Sequence, residues 1–373
     1  TSNNNGGNYG SWSDYFYGDT SGNIFLTQEG LWKIQAEVYD NAGNSQTITS
    51  GTYCIDMSKP SGGLYPGGCD WTNSNVTVLF NYTDSGGSGV SRWRYRTSRD
   101  NGHNFSDWSL FVPAEMNQSI VLDSTGVWRI QVEVYDKSGN MVTVSSNAYL
   151  IDKSPPLYTA TDISGYRYRN GAYHWIRPDE SVSISIRCYE AESGMRYSYI
   201  RLPSAGDNRA VHDWESGAMH INEWMTSSYT KITGARESLE RDGYYEVTWS
   251  VKGLGDVLSE VQYGFADKAG NIADYNGTGC YIGVDGTSPG RPLINSSNGE
   301  WTNRDVIINI THGTDTGSGV EKSQYKIGYG SEWLDYTSTF TVSQEGETII
   351  YARTVDNVGN IGEESFCMVK IDK

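Results

Sequence analysis

The chain has 373 residues, with 45 acidic against 28 basic side chains and a net charge of −17. Phosphate backbones and anionic membranes both call for clustered Lys and Arg, so this balance speaks against either partner, and no apolar run approaches the ~18–20 residues of a membrane span. Helical periodicity is nearly absent. Forty-three glycines and 13% aromatic residues suit a turn-rich all-β chain with ample core better than a disordered one.

In chain order, the first readable strand is Ile34-Gln35-Ala36-Glu37-Val38, apolar at alternate positions and therefore half-buried. It runs into Asp40-Asn41-Ala42-Gly43-Asn44. Gly-Asn takes positive φ cheaply, so the phrase predicts a hairpin turn. The next strand ends at Asp56, and Pro60 follows. Trp12 and Phe16 stand where Trp108 and Phe111 stand one copy later, so residues 1–60 are expected to be a partial domain lacking its N-terminal strands, and the chain a fragment of something longer. An incomplete sandwich can also accept a strand from a neighbouring subunit, which makes self-assembly through the first domain an alternative expectation.

Residues 61–153 repeat the plan in full. Trp71-Thr72-Asn73 opens it, Val76–Phe80 is a strand, Asp84-Ser85-Gly86-Gly87 is an acidic turn before Ser88-Gly89-Val90, and Ile130–Val134 leads into Asp136-Lys137-Ser138-Gly139-Asn140. The closing strand ends at Asp152. Ser98–Phe105 fits the S-x-D-x-G-x-x-F hairpin called an Asp-box; occurring once, it predicts a stable hairpin tip and nothing about sialic acid. Residues 154–285 carry Trp175, the strand Val182–Ile186, the acidic turn Glu190-Ala191-Glu192 and Asp267-Lys268-Ala269-Gly270-Asn271. Residues 286–373 carry Trp301-Thr302-Asn303, Val306–Ile310, Asp315-Thr316-Gly317 and Asp356-Asn357-Val358-Gly359-Asn360. The closing aspartates Asp56, Asp152, Asp285 and Asp372 are 96, 133 and 87 residues apart. Roughly seven short strands per ~90 residues predict tandem immunoglobulin-like β-sandwiches, each large enough to fold alone.

These motifs resemble the bacterial Ig-like repeats with a W-T-N opening, a D-x-x-S-G-V turn and a terminal D-x-A-G-N hairpin, found in tandem in secreted and cell-surface proteins. The resemblance covers 61–153 and 288–373 well, the flanks of 154–285 and part of 1–60. It implies extracellular modules and no catalysis.

The third repeat exceeds its neighbours by about 40 residues, between Tyr197–Ile200 and the strand entering Tyr263. Surface loops on a rigid scaffold commonly carry binding residues, and this stretch holds His212, Asp213, Trp214, Glu215, Glu223, Trp224 and Tyr229. Aromatic rings flanked by carboxylates suit a sugar, whose C–H face stacks while its hydroxyls are hydrogen-bonded. The competing reading is that the tryptophans cover an extended sheet edge. His212 with Glu215 and His220 with Glu223 stand three apart, a helical rather than a strand spacing for a shared site, and no zinc signature is present. Calcium is the remaining cofactor candidate, with Asp84, Glu190 and Asp315 as ligands should their turns lie near the closing aspartates of adjoining repeats; Asp with Gly also suits an ordinary turn. Five cysteines are too few for a disulfide scaffold. A Cys188–Cys280 bridge between sheets competes with free thiols.

The expected function is a non-catalytic stalk or adhesin-type segment, extracellular or at the cell surface, presenting a site for glycan or host protein on residues 154–285. The alternatives are an accessory Ig-like region of a large secreted polysaccharide-degrading enzyme, and a donor-strand-assembled filament subunit. The short Pro-containing linkers predict limited bending between repeats.

Overall fold

The computed structural model describes residues 1–18, 21–116, 119–206, 208–221, 232–239, 242–296 and 300–373. The chain divides into two compact units, Thr1–Ser154 and Pro155–Lys373. Both are all-β, and the architecture is that of tandem Ig-like sandwiches. Three separate hydrophobic clusters lie along the chain, one among residues 78–151, one among 163–284 and one among 306–371.

Within the first unit, residues 61–153 form two facing sheets. Val76–Thr83 sits between Ser61–Tyr65 and Ser119–Leu122 in one; Gly126–Asp136 pairs with Val90–Ser98, Met141–Ser145 and Tyr149–Ile151 in the other. The period of two read from the sequence is the burial pattern: Trp128, Ile130, Val132 and Val134 alternate inward, and Val78 and Phe80 meet them from the opposite sheet. Trp93, only 1% exposed, fills the middle.

The opening Trp-Thr segment has a consistent place. Cys69–Thr72 pairs in parallel with the closing strand Tyr149–Ile151. Tyr173–Ile176 pairs in parallel with Ile272–Val284 in the third repeat, and Thr302 bridges in parallel to Ile371 in the fourth. An early segment of each repeat therefore lies beside its last strand, after a first strand (Ser61–Tyr65, Leu157–Ser164 or Leu293–Ser296) that pairs into the other sheet.

Residues 1–60 hold two small pairings, Gly30–Trp32 with Tyr53–Ile55 and Gln35–Tyr39 with Ser45–Thr49. The local devices match the later copies: Trp32 Nε1 donates to Gln28 O at 2.8 Å, as Trp128 Nε1 donates to Ser124 O at 2.8 Å. The apolar side chains do not find an opposite sheet. Trp12, Phe16, Val38 and Ile48 are all more than half exposed.

Among the described residues, the excess of the third repeat adds strands to the sheets. Asn208–Asp213 and Met219–Ile221 add a hairpin to the sheet containing Met195–Leu202, and Ile232–Leu239 adds an edge strand beside Tyr244–Lys252 in the other. Both sheets are widened, to seven and four strands, which is why this repeat contains the largest core cluster. The cysteines are free thiols rather than a Cys188–Cys280 bridge. Cys188 lies against Met195, Sγ to Sδ 3.7 Å, and burial, with the Glu190 charge adding to it, pushes its pKa up to about 12, so it is an inert core residue.

Trp249 is completely buried between the sheets of the third repeat. Replacing it with Ala leaves a large cavity, and we expect Trp249→Ala to lose about 3–5 kcal/mol in chemical denaturation. A loss below about 1 kcal/mol would show that the core collapses around the gap.

Candidate functional site

Two places bring chemistry-bearing residues together: the D-x-x-G-N turns with their surroundings, and a groove on the third repeat.

All four D-x-x-G-N phrases close hairpins. Their glycines take φ of +89° to +94°, the left-handed region in which a Cβ is costly. The aspartate and asparagine do separate work. Asp136 Oδ1 accepts the Asn140 backbone N–H at 2.8 Å while Oδ2 accepts the Asn140 side-chain amide at 2.7 Å. The same two bonds recur at Asp40–Asn44, Asp267–Asn271 and Asp356–Asn360. The second amide hydrogen of the asparagine leaves the repeat: Asn140 Nδ2 donates to Asp56 O at 3.0 Å, and Asn360 Nδ2 to Asp285 O at 3.0 Å. Each acceptor is the carbonyl of the preceding repeat's closing aspartate.

That closing aspartate is bound a second time, by the acidic turn of the following repeat. Asp56 Oδ2 accepts Ser88 N–H at 3.0 Å, and Asp285 Oδ2 accepts Ser318 N–H at 2.7 Å. The approach is close enough that a Cβ on Gly86 or Gly317 would collide with the carboxylate. Three carboxylates consequently converge at each joint: Asp56, Asp84 and Asp136 in one, Asp285, Asp315 and Asp356 in the other, with ligand oxygens all within 4.8 Å of one another. In the third repeat, Glu190 and Asp267 approach within the same distance, and Glu190 Oε1 caps the N–H groups of Glu192 and Ser193. Hydrogen bonds from Ser88 hold the Asp56 pKa below its ordinary value. Burial, aided by the charge of Asp285, raises that of Asp356. The sequence reading anticipated Asp84 near the closing Asp56 and Asp315 near the closing Asp285. It missed Asp136, Asp267 and Asp356, whose signal was an aspartate present in every copy of a turn that Asn or Ser could also serve.

The residues singled out on the third repeat part company. His212 and Asp213 are buried at the end of the Asn208–Asp213 strand, and Asp213 Oδ1 accepts the N–H of Glu215 at 2.9 Å, shaping the turn to Ala218. Trp214 is partly buried. It packs on the core edge-on to His212 and Tyr245, each at 5.1 Å, and its Nε1 donates to Ser198 Oγ at 2.9 Å. Glu215 alone of the four reaches the surface, paired with Arg196. Glu223, Trp224 and Tyr229 lie outside the described residues.

Beside the Arg196–Glu215 pair runs a groove of about 370 Å³ lined by Tyr197, Tyr199 and Lys268 among others. Tyr199 meets Tyr275 at 6.0 Å, and burial pushes its phenol up to about 12. The groove offers ring faces, two cations and a carboxylate.

The Asp-box segment is a hairpin tip, as its sequence suggests. Asp100 accepts Ser98 Oγ at 2.6 Å and the backbone and side-chain N–H groups of Asn104 at 2.9 and 2.6 Å. Beyond it, residues 105–111 lie along the sheet through stacked cations: Arg92 over Phe111 at 4.1 Å, Arg94 over Trp108 at 4.8 Å and Arg96 over Phe105 at 4.8 Å. The hydrogen bonds, the Ser98 hydroxyl first, hold the Asp100 pKa well below the carboxylate range. A depressed folded pKa contributes stability that is present above the unfolded value near 4 and lost as pH falls through the folded one. We expect the Asp100 carboxyl carbon, followed by NMR, to titrate below its neighbours on exposed loops, and Ser98→Ala to move it back toward about 4. An ordinary titration in the unmodified chain would contradict the geometry.

Residues 17–57 and 70–153 match a bacterial Ig-like domain. No curated protein matches the chain. Similar solved structures include a 1.5-MDa bacterial ice-binding adhesin (11% identity, 84% of this chain and 98% of that chain, TM-score 0.34), a marsupial T cell receptor (10%, 83% and 99%, 0.34) and the fibronectin(III)-like modules of Clostridium thermocellum CbhA (9%, 56% and 95%, 0.25). Likenesses this remote carry no functional argument.

Proposed function

We propose that this run of tandem bacterial Ig-like repeats is a non-catalytic stalk segment of a secreted or surface-attached bacterial protein, in which the second repeat is fastened to the first and the fourth to the third. The observation that carries this reading is the joint. A spacer needs its modules fixed to one another rather than freely strung, and here one asparagine closes its own hairpin and also bonds the previous repeat's last strand. The bond is repeated with the same geometry at Asp56 and Asp285, and the Ser88 and Ser318 N–H groups add a second tie from another segment.

Removing the asparagine side chain deletes both bonds and costs about 1–2 kcal/mol locally. In Asn140→Ala and Asn360→Ala we expect the Ser88 and Ser318 amides, respectively, to exchange roughly tenfold faster with solvent deuterium, since about 1.4 kcal/mol of local stability corresponds to that factor. Unchanged exchange would mean that the joint holds nothing. The purified chain is expected to show no turnover on a panel of polysaccharides; any hydrolysis overturns the non-catalytic part of the reading.

The groove on the third repeat favours a second role, presentation of a glycan site. Tyr197 and Tyr199 supply stacking faces while Arg196, Lys268 and Glu215 supply hydrogen bonds. A glycan microarray should then give hits that Tyr199→Ala weakens at least about tenfold, the loss of one stacked ring being worth about 1.4 kcal/mol or more. An array without hits, or hits indifferent to Tyr199, would rule out the groove as that site.

A further inference from the structure

We propose that the two carboxylate clusters at the joints, Asp56–Asp84–Asp136 and Asp285–Asp315–Asp356, each bind one calcium ion. The three side chains of a cluster come from three separate segments: the closing strand of one repeat, and the acidic turn and D-x-x-G-N turn of the next. Their oxygens lie within 4.8 Å of one another, close enough for all three to reach a single ion at the roughly 2.3–2.6 Å of calcium–oxygen contacts. The donor set is entirely oxygen, which suits a hard cation and not zinc.

Three formal charges meet at each joint, and among the described residues the ion pairs of the chain involve other carboxylates. Backbone and asparagine N–H groups compensate part of this charge. Two polar atoms are left over. Asp84 Oδ2 takes the Gly89 N–H at 2.8 Å, but Asp84 Oδ1 is enclosed and accepts no hydrogen bond. In the other cluster Ser318 is only 7% exposed and its Oγ has no partner. Its counterpart Ser88 turns its hydroxyl to within 3.5 Å of Asp84 Oδ2, so this hydroxyl position belongs to the wall of the cluster. An ordinary acidic turn explains the capped oxygens and does not explain an enclosed carboxylate oxygen with no donor, which is costly to bury. A cation in each cluster, facing Asp84 Oδ1 in one and the Ser318 hydroxyl in the other, satisfies both.

Calcium here would cross-link two repeats through side chains that already touch. The inference rests on the joint geometry and not on the spacer role, so the two fail separately: absence of binding leaves the stalk reading intact, and a catalytic activity would overturn the stalk without touching the sites.

The test is calorimetric titration of the chelator-treated full chain with calcium chloride, together with its melting curve. We expect saturable heat with a Kd on the order of 10⁻⁴–10⁻³ M, the range of extracellular calcium modules, and a rise in melting temperature that magnesium chloride at equal concentration does not reproduce. Asp84→Asn with Asp315→Asn keeps an acceptor for the Gly89 and Gly319 N–H groups and removes one charge per cluster; it should weaken binding at least about tenfold. No heat and no melting shift at about 10 mM calcium, an equal response to magnesium, or a double variant that keeps the full response would each overturn the proposal. A double variant that is more stable than the parent without calcium and unresponsive to it would support it, because it relieves the repulsion the ion otherwise neutralises. Should that variant not fold, the wild-type titration decides alone.

Discussion

The fastening of the second repeat to the first, and of the fourth to the third, depends first on one carboxylate–carboxamide pair. The aspartate of D-x-x-G-N captures both the backbone and the side chain of the asparagine four residues on, and this fixes the amide plane. Only because that plane is fixed does its remaining hydrogen point out of the hairpin, toward the carbonyl of the preceding closing aspartate. The pair is thus a turn and a connector at once. Glutamine could not substitute: an extra methylene would lose the geometry on both sides. The need for an aspartate at that position also places a charge at each joint, beside two more that the acidic turn and the closing strand supply.

Much of the fold was legible because its signals are local. The alternation in Ile130–Val134, the Gly-Asn turns and the Trp-Thr openings are short-range patterns, and each reappears as a strand, a hairpin or the parallel partner of a closing strand. The acidic turns were legible as candidates for the same reason. What could not be read was convergence. Asp136 looked like a turn residue since, seen from its own hairpin, it is one; its proximity to Asp84 and Asp56 is a product of how 136, 84 and 56 come together across two repeats. Trp214 left two readings open through the same gap. An aromatic beside carboxylates reads as a binding platform, yet Ser198 and Tyr245, far away in sequence, offer it a hydrogen bond and an edge, and it turns inward.

The third repeat shows how much the frame tolerates. Its additional residues lengthen both sheets at their edges and leave the central strands, the Asp267–Asn271 hairpin and the Trp175 opening in place. Edge growth of this kind is easy because a sheet edge has unpaired backbone groups that a further strand satisfies. The new hairpin brings Glu215 to the groove by Tyr197 and Tyr199, so the variation that creates surface chemistry sits where the repeated architecture constrains it least.

The parallel pairing of the opening Trp segment with the last strand has a mechanical meaning. In the third repeat the chain passes first through Leu157–Ser164, paired with Ser181–Tyr189 in the other sheet, and then runs along Tyr173–Ile176 before leaving along Ile272–Val284. These last two are adjacent and point the same way, with partners from Tyr173 and Tyr281 to Ile176 and Val284. Tension applied to the two ends of that repeat, once Leu157–Ser164 is drawn off its partner, pulls these strands past each other along their common axis. The ladder bonds between them are then strained together instead of peeling one after another, so resistance to force scales with the number of bonds in the ladder. Cys69–Thr72 with Tyr149–Ile151, and Thr302 with Ile371, repeat the arrangement on a shorter span, so among the described residues the third repeat carries the longest of these shear ladders.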